Sequence, residues 1–523
     1  MQQRPGSDSD QLAQFGYKQE LDRRLGKFSS FAAGFSYISI LTGMFQLFAF
    51  GYFFGGPAVW WAWVIVFSGQ FLVALCFAEL AARYPIAGSV YQWSKHVGNS
   101  FTSFMAGWVM MVASIVTVSA VAVAWQIILP QISTKFQFVG PDVAAAPFTS
   151  DGAKNAVILG VGLIVATTII NIIGINVMAK INNVGVMVEL IGAALLIVLL
   201  LFNATRGPGV IFDTLSGGYH AAPGYATFGY LAAFLIAAIM PAYVMYGFDT
   251  AGSLAEETND PRRTAPRMLL TALGTAGIAG ALLLLTASMA ATNLRDENLG
   301  VVGLPFIVKD VLGETLGNIL LWSVVVSIAV CCLAIHTAAV RIMFSMARDN
   351  ALPFGSSLAR VSATRKTPAL PAILVGVLAA TILIVNIGNQ SVFTVVTGVA
   401  IVMIYTAYLF VTVPLLLSRM KGWPDDKGAD GLFTLGAWGM LVNSLAVVYG
   451  AAMALNIVWP RNEIYNFYSP FTWYWQYGGV LFVGTMLVLG VGIYYLWARQ
   501  NAGVLAEHRA EDAVPSVAPD TVT

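Results

Sequence analysis

The sequence predicts an all-α integral membrane protein of twelve transmembrane helices. They form a 5+5 inverted repeat with broken helices 1 and 6, followed by two C-terminal helices. Three observations predict this. Hydrophobic residues make up 58% of the 523 and charged residues 10%, with a mean hydropathy of +0.75. Soluble domains carry about 25% charge, so most of this chain must face lipid or other apolar helices. Apolar stretches near the ~20 residues that span a bilayer fall at 28–53, 57–82, 101–129, 154–173, 181–202, 227–252, 267–291, 316–346, 370–387, 392–416, 433–457 and 472–497. Finally, the first and sixth stretches are interrupted by polar and helix-breaking residues, each at the start of a group of five.

Charge in the connections supports that count. With the N-terminus inside, the inner segments hold 21 of the 27 Lys and Arg, among them Arg23, Arg24, Lys27, Arg262, Arg263, Arg267, Arg341 and Arg348. The outer segments hold Lys135, Lys154, Arg206, Arg295, Lys309 and Arg461. The positive-inside rule then places both termini in the cytoplasm, and the expected location is the plasma membrane. A missed or extra helix would invert the bias downstream, and no inversion occurs. The opening MQQRPGSDSDQLAQFGYKQELDRR lacks the apolar core of a cleaved signal peptide, so residues 1–27 read as a cytoplasmic tail. Residues 498–523, rich in Ala, Glu, Asp and Pro, read as a second cytoplasmic tail, and both tails read as disordered. The repeats occupy 28–202 and 227–416, and the last two helices 433–497. A net charge of +1 gives no support to nucleic-acid binding. Cys76, Cys331 and Cys332 lie in apolar runs and offer no metal spacing or disulfide framework.

The interruptions carry the function. The first span, FAAGFSYISILTGMFQLFAFGYFFGG, places serine, β-branched threonine and glycine at its centre, from Ser39 to Gly43. The sixth, FGYLAAFLIAAIMPAYVMYGFDTAG, carries Pro241 and then Gly247-Phe248-Asp249. An unwound helix in lipid frees N–H and C=O groups that cost several kcal/mol each if unpaired. They persist where a cavity, substrate or ion satisfies them, and paired broken helices point to the binding site of a secondary transporter. The inner segment YPIAGSVYQWSKHVG and the outer segment DENLGVVGLPFIVKDVLGE occupy corresponding places in the two halves. Both are expected to form short interfacial helices.

Four motifs then resemble the amino acid–polyamine–organocation permeases, in particular the amino acid and choline transporter branch with its γ-aminobutyrate-type permeases. They are SILTGMF in span one, ELAARYPIAGSVYQW after span two, GFDTAGSLAEETNDPRRTAPR after span six, and RIMFSMARDNALP at the end of span eight. The resemblance implies the LeuT-like APC fold and a substrate held between spans one and six, against spans three, eight and ten. It places Thr42 and Gly43 where the family receives an amino-acid carboxylate, in line with the positive N-terminal end of a half-helix. A substrate ammonium would meet the carbonyl ends near Ser39, Ile40, Tyr243 and Tyr246, with Tyr243 at the family's aromatic gate or acting as an interhelical hydrogen bonder.

Asp249, beside Gly247 in the break, is a candidate for substrate amine binding or for carrying a coupling proton, against a reading as a local helix cap. Glu189, in INNVGVMVELIGAAL, lies about 12 Å into span five. Proton-coupled relatives often carry lysine there, so glutamate departs from their pattern. A desolvated carboxylate still suits proton coupling, and a structural acid is the alternative. His336 is a third proton candidate, against a packed hydrogen bonder; Gln46 and Gln126 are candidate cavity linings. Glu79, Arg83, Glu256, Glu257, Arg262, Arg263, Arg267, Arg341 and Arg348 are expected at a cytoplasmic gate of breakable ion pairs, or as ordinary membrane-edge charge.

No GxGxxG on a strand, P-loop, HExxH or GxSxG turn is present, so no enzyme or cofactor is expected. The expected activity is proton-coupled, gradient-driven transport of amino acids or small amines by alternating access, with substrate, proton and lipid as partners. An exchanger, a choline, ethanolamine or polyamine permease, a channel and a non-transporting sensor are the alternatives.

Overall fold

A computed structural model describes residues 12–21, 23, 25–140, 149–215, 229–362, 365–389, 391–424, 431–466 and 472–510. The parts of the two terminal tails at 1–11 and 511–523, and the start of the sixth apolar stretch at 227–228, lie outside the described residues.

Among the described residues the chain is helical, without a strand longer than an isolated bridge. Nine helical stretches are long and apolar enough to cross a membrane, and Tyr230–Val244 and Ala369–Ile384 are shorter apolar helices. The first long stretch, Lys27–Arg83, covers both the first and the second span read from sequence. In chain order the elements used below are α1 (Lys27–Ile38), α2 (Ile40–Gly55), α3 (Val59–Arg83), α4 (Ser89–Val97), α5 (Ser100–Ala122), α6 (Ser150–Ile173), α7 (Ile175–Phe202), α8 (Tyr230–Ala237), α9 (Ile239–Val244), α10 (Thr250–Ser253), α11 (Pro261–Ala290), α12 (Leu304–Arg348), α13 (Ala369–Ile384) and α14 (Val392–Met420).

Both interruptions are present, and each has a local cause. Between α1 and α2 the helix fails at one residue, Ser39, with φ 37 and ψ 94. Its hydroxyl competes for backbone and side-chain partners that a helical serine would forgo. The sixth span bends at Ala238, where Pro241 supplies no N–H to close the preceding turn. It then unwinds over Met245–Asp249, where Gly247 takes φ 86. The inner connection forms the short helix α4; the outer one forms Glu297–Val301 and the first turns of α12, which are set off by Gly313 at φ 78.

Burial sorts the helices into centre and periphery. In the stretch Ser100–Ile132 the apolar span is 83% buried in protein, whereas in Gly478–Asn501 the figure is 22%. Accordingly α5 packs on both α12 and α14, α3 on α11, and α7 on α12 and α1. On α7, Val184, Met187, Ile191, Leu195 and Val198 stay exposed at helical spacing. An apolar stripe of that kind is the pattern of a membrane-embedded helix. This is a multi-pass membrane protein whose two breaks lie at its centre.

Candidate functional site

Glycine brings the broken helices together. A Cβ on Gly43 would lie 2.5 Å from Val244 of α9, so only glycine admits this approach of α2 to the sixth span. A Cβ on Gly247 would lie 1.8 Å from the Tyr37 ring, and the residue's φ of 86 already disfavours any side chain. Gly247→Ala is therefore expected to abolish function or folding, where Gly274→Ala on α11, with its nearest neighbour 4.0 Å away, is tolerated. Monodisperse yield and uptake of the two variants check this.

Around this contact lies a group of buried polar side chains. Tyr37 and Tyr246 sit 6.2 Å apart between ring centroids, and Tyr243 and Tyr246 5.6 Å. The hydroxyls of Tyr37, Tyr243, Tyr246 and Ser114 and the Oε1 of Gln46 are buried without a hydrogen-bond partner. Tyr37 faces Ser114 and Thr117, Tyr243 faces Gln46, and Tyr246 faces Thr117, yet none of these contacts closes into a hydrogen bond. Gln46 is oriented by its amide, which donates to Ala120 O at 2.8 Å. Buried polar atoms are nearly always satisfied, so five orphans in one place mark a site that something polar completes.

The first break is held by Glu189. Its Oε1 accepts from the Ser39 hydroxyl at 2.9 Å and from Leu41 N–H at 3.2 Å. A carboxylate therefore caps the first turn of α2, where the helix dipole favours negative charge. The remaining amides of that turn are also engaged: Thr42 N–H with Ser39 Oγ at 3.4 Å and Gly43 N–H with Ser39 O at 3.0 Å. Thr42 Oγ1 lies 2.5 Å from Ser39 Oγ. Ile40 is fully buried beside them. On the other side of the break, Cys331 Sγ donates to Tyr37 O at 3.5 Å.

The second break is held by Asp249. Its oxygens accept from Tyr408 of α14 at 2.7 Å and from Ser89, the first residue of α4, at 2.8 Å. Tyr408 also accepts the Gly247 N–H at 2.9 Å, and Ser253 bonds Ser89 at 2.9 Å. The Asp249 side chain makes no cap to α10; it ties the unwound segment to α14 and to α4. No basic side chain is paired with either Glu189 or Asp249 among the described residues.

Two sequence candidates lie elsewhere. His336 is bonded at both ring nitrogens, to Thr167 Oγ1 at 3.1 Å and Ala372 O at 3.0 Å, which places it between α6, α12 and α13. Gln126 belongs to a network with Gln137 and Asn155 after α5.

The charges expected at the cytoplasmic edge form buried pairs. Arg348 grips both oxygens of Glu256 at 2.8 and 3.0 Å, and Ala87 N–H adds a third donor at 3.0 Å. Arg341 meets Glu257 at 2.5 Å. Glu79 pairs with Arg419 and, at 3.6 Å, with Arg83. Arg262 is half-buried, Arg263 and Arg267 are exposed, and none of the three joins these pairs.

Sequence reasoning passed over Tyr408, Ser89, Arg419, Lys95 and Asp349. Lys95 and Asp349 pair at 2.6 Å just outside the span that ends at Arg348. Burial opposes the charge on Asp349, but Lys95 and Arg348 outweigh it and hold the carboxyl below its usual range. Lys95 is exposed on one side, and the charge of Asp349 raises it. A depressed acid contributes stability above its unfolded pKa of about 3.9, lost as pH falls through the folded value; a raised lysine contributes it below about 10.4. The pair is expected to hold from about pH 5 to pH 9, so Asp349→Asn should lower the unfolding temperature equally at both ends of that window.

The family described as Amino acid permease matches residues 25–486. The chain belongs to the amino acid permease family. It is 26% identical over 468 residues to Amino-acid permease BAT1 of Arabidopsis thaliana, covering 85% of this chain and 87% of the relative. To Branched-chain amino acid permease BcaP of Bacillus subtilis it is 26% identical over 514 residues, 95% and 98% of the two chains. To the Methylthioribose transporter of the same bacterium it is 27% identical over 361 residues, 66% and 74%. This permease is thus a membrane transporter of a small molecule and not an enzyme.

Proposed function

We propose that this permease carries amino acids or related small amines across the plasma membrane by proton-coupled alternating access. In this reading twelve spans form a five-plus-five inverted repeat with two further C-terminal helices, and both termini are cytoplasmic. The observation that carries it is the cluster at the two breaks. Three tyrosine rings and the orphaned Gln46 Oε1 lie together, with Glu189 at one break and Asp249 at the other, and among the described residues no basic side chain is paired with either carboxyl group. Aromatic faces, carboxyl groups and an unpaired carbonyl oxygen favour a cationic amine over an anion. Tyr37, Tyr243 and Tyr246, with Ser39, Ile40, Thr42, Gly43 and Gly247, would line the substrate.

Glu189 and Asp249 are the coupling candidates, and Glu189 fits better. It contacts the substrate-side amides of α2 directly, whereas Asp249 is held by Tyr408 and Ser89. A protonated Glu189 gives up its charge against the α2 amides, which loosens the cap and frees that helix end for a substrate carboxylate. Proton and substrate binding are then linked through one turn of helix. The ion pairs of Glu79, Glu256 and Glu257 with Arg419, Arg348 and Arg341 close the inner end. His336, bonded at both nitrogens, has a packing role.

Counterflow tests the reading. Liposomes preloaded with unlabelled substrate should transiently concentrate the labelled form for some member of a panel of amino acids, γ-aminobutyrate, choline and polyamines. Equilibration without any overshoot for every member would mean a channel, and binding without flux a sensor.

A further inference from the structure

The terminal tails, polar and predicted to be unstructured, converge on the inner gate. The described residues among 12–25, together with 503–510, are hydrogen-bonded to each other and to the ends of the central helices. Tyr17 is 2% exposed. Its hydroxyl donates to Asp349, 2.9 and 3.0 Å from the two carboxylate oxygens, and accepts from Lys95 at 2.9 Å and Gln92 at 3.1 Å. The Arg348 guanidinium lies 4.1 Å over its ring, within cation–π range. Burial, then the charge of Asp349, push the phenol up to about 12, so it stays a donor throughout the physiological range.

The same tail reaches the sixth span. Leu25 N–H donates to Glu257 O at 2.8 Å, Asn259 N–H to Leu25 O at 3.0 Å, and the Gln19 amide to Glu256 O at 3.1 Å. From the other terminus, Gly503 N–H donates to Asp349 O at 2.8 Å and Leu505 N–H to Arg348 O at 3.0 Å. The two tails then pair: Lys18 N–H with His508 O at 3.0 Å, Ala510 N–H with Gly16 O at 3.2 Å, and His508 Nδ1 with Glu20 at 2.5 Å. His508 is 4% exposed, edge-on to Phe344 of α12.

Taken together these contacts join parts that must separate if the inner end opens: the sixth span through Glu256 and Glu257, the eighth through Arg348 and Asp349, and α4 through Gln92 and Lys95. We propose that the N- and C-terminal tails together form a clasp that locks the inner gate shut, and that the clasp must release each time the permease opens to the cytoplasm. The inference rests on the alternating-access reading above.

The test needs no substrate, which separates its failure from failure of that reading. Cys331, buried against Tyr37 O at the first break, is a native reporter of access to the site. A charged, membrane-impermeant methanethiosulfonate is applied to the cytoplasmic face of oriented vesicles, and labelling of Cys331 is read by mass spectrometry. Tyr17→Ala removes the anchor on the gate; His508→Ala removes the pairing with Glu20 and the edge contact with Phe344. Thermal unfolding of the same variants reports loosening of the fold as a whole. Both are expected to raise Cys331 labelling roughly tenfold, as for loss of a hydrogen bond to a charged group, with the fold intact at the labelling temperature. Unchanged Cys331 labelling in either variant overturns the clasp, and so does a rise that appears only where the variant has begun to unfold.

Discussion

Glu189→Gln is expected to yield a permease that exchanges substrate at near the native rate but no longer accumulates it. Glutamine stands in for the protonated acid, uncharged but with an oxygen where Oε1 accepts from Ser39 and Leu41 N–H, so α2 stays in the loosened state that admits substrate. Glutamine cannot take up or release a proton. One pH unit corresponds to about 1.36 kcal/mol, so an inward gradient of one unit concentrates substrate about tenfold for each coupled proton. In the variant that accumulation falls to none, while counterflow continues. Asp249→Asn is expected to behave differently. Its partners, Tyr408 and Ser89, are both hydroxyl donors, and an amide oxygen accepts only part of what the carboxylate does, so exchange itself should slow. Liposome uptake and counterflow on the two variants separate coupling from positioning, and loss of the gradient response in Asp249→Asn alone would move the proton to Asp249.

Breaking the Arg348–Glu256 pair is expected to have the largest effect on stability. Both side chains are fully buried, and the arginine grips both carboxylate oxygens. Arg348→Met leaves Glu256 buried with Ala87 N–H as its hydrogen-bond donor and the half-buried Arg23 as a nearby charge, and removal of one partner of such a pair costs about 3–5 kcal/mol. Adding Glu256→Gln removes the stranded charge, and the double variant should recover most of that loss, because the pair's desolvation roughly offsets its attraction. Thermal unfolding of the purified variants checks the order: wild type, then the double variant, then Arg348→Met well below both. Equal losses in the single and double variants would mean that packing of the arginine stem and its stack on Tyr17, not the unpaired acid, sets the cost.

Much of this arrangement is legible along the chain. The break at Ser39 and the unwound stretch around Gly247 are local consequences of serine, proline and glycine within apolar runs, and local chemistry is what one sequence displays. The depth of Glu189 in its span follows from counting residues. Its partner does not, because Ser39 lies 150 residues away and the rotation of α7 against α1 depends on packing. Asp249 shows the same division: an acid in a break is visible, whereas Ser89 and Tyr408, about 160 residues to either side, are one serine and one tyrosine among many. The acids Glu79, Glu256 and Glu257 stand out at the membrane edge, yet the choice of Arg419, Arg348 and Arg341 as partners is set by helix register. The tails mislead for a physical reason. Polar composition predicts disorder when a segment must build its own core, but Tyr17 and His508 are buried by a surface that the rest of the fold supplies.

The most direct test of the central account is a cryo-EM map of the permease in nanodiscs, bound to whichever panel member shows counterflow. The expected result is substrate density enclosed by Tyr37, Tyr243, Tyr246 and Gln46, its amine toward the rings and the carbonyl ends of the first half-helices. Density bound elsewhere, with those five polar atoms still unpaired, would contradict the assignment of the site to the two broken helices.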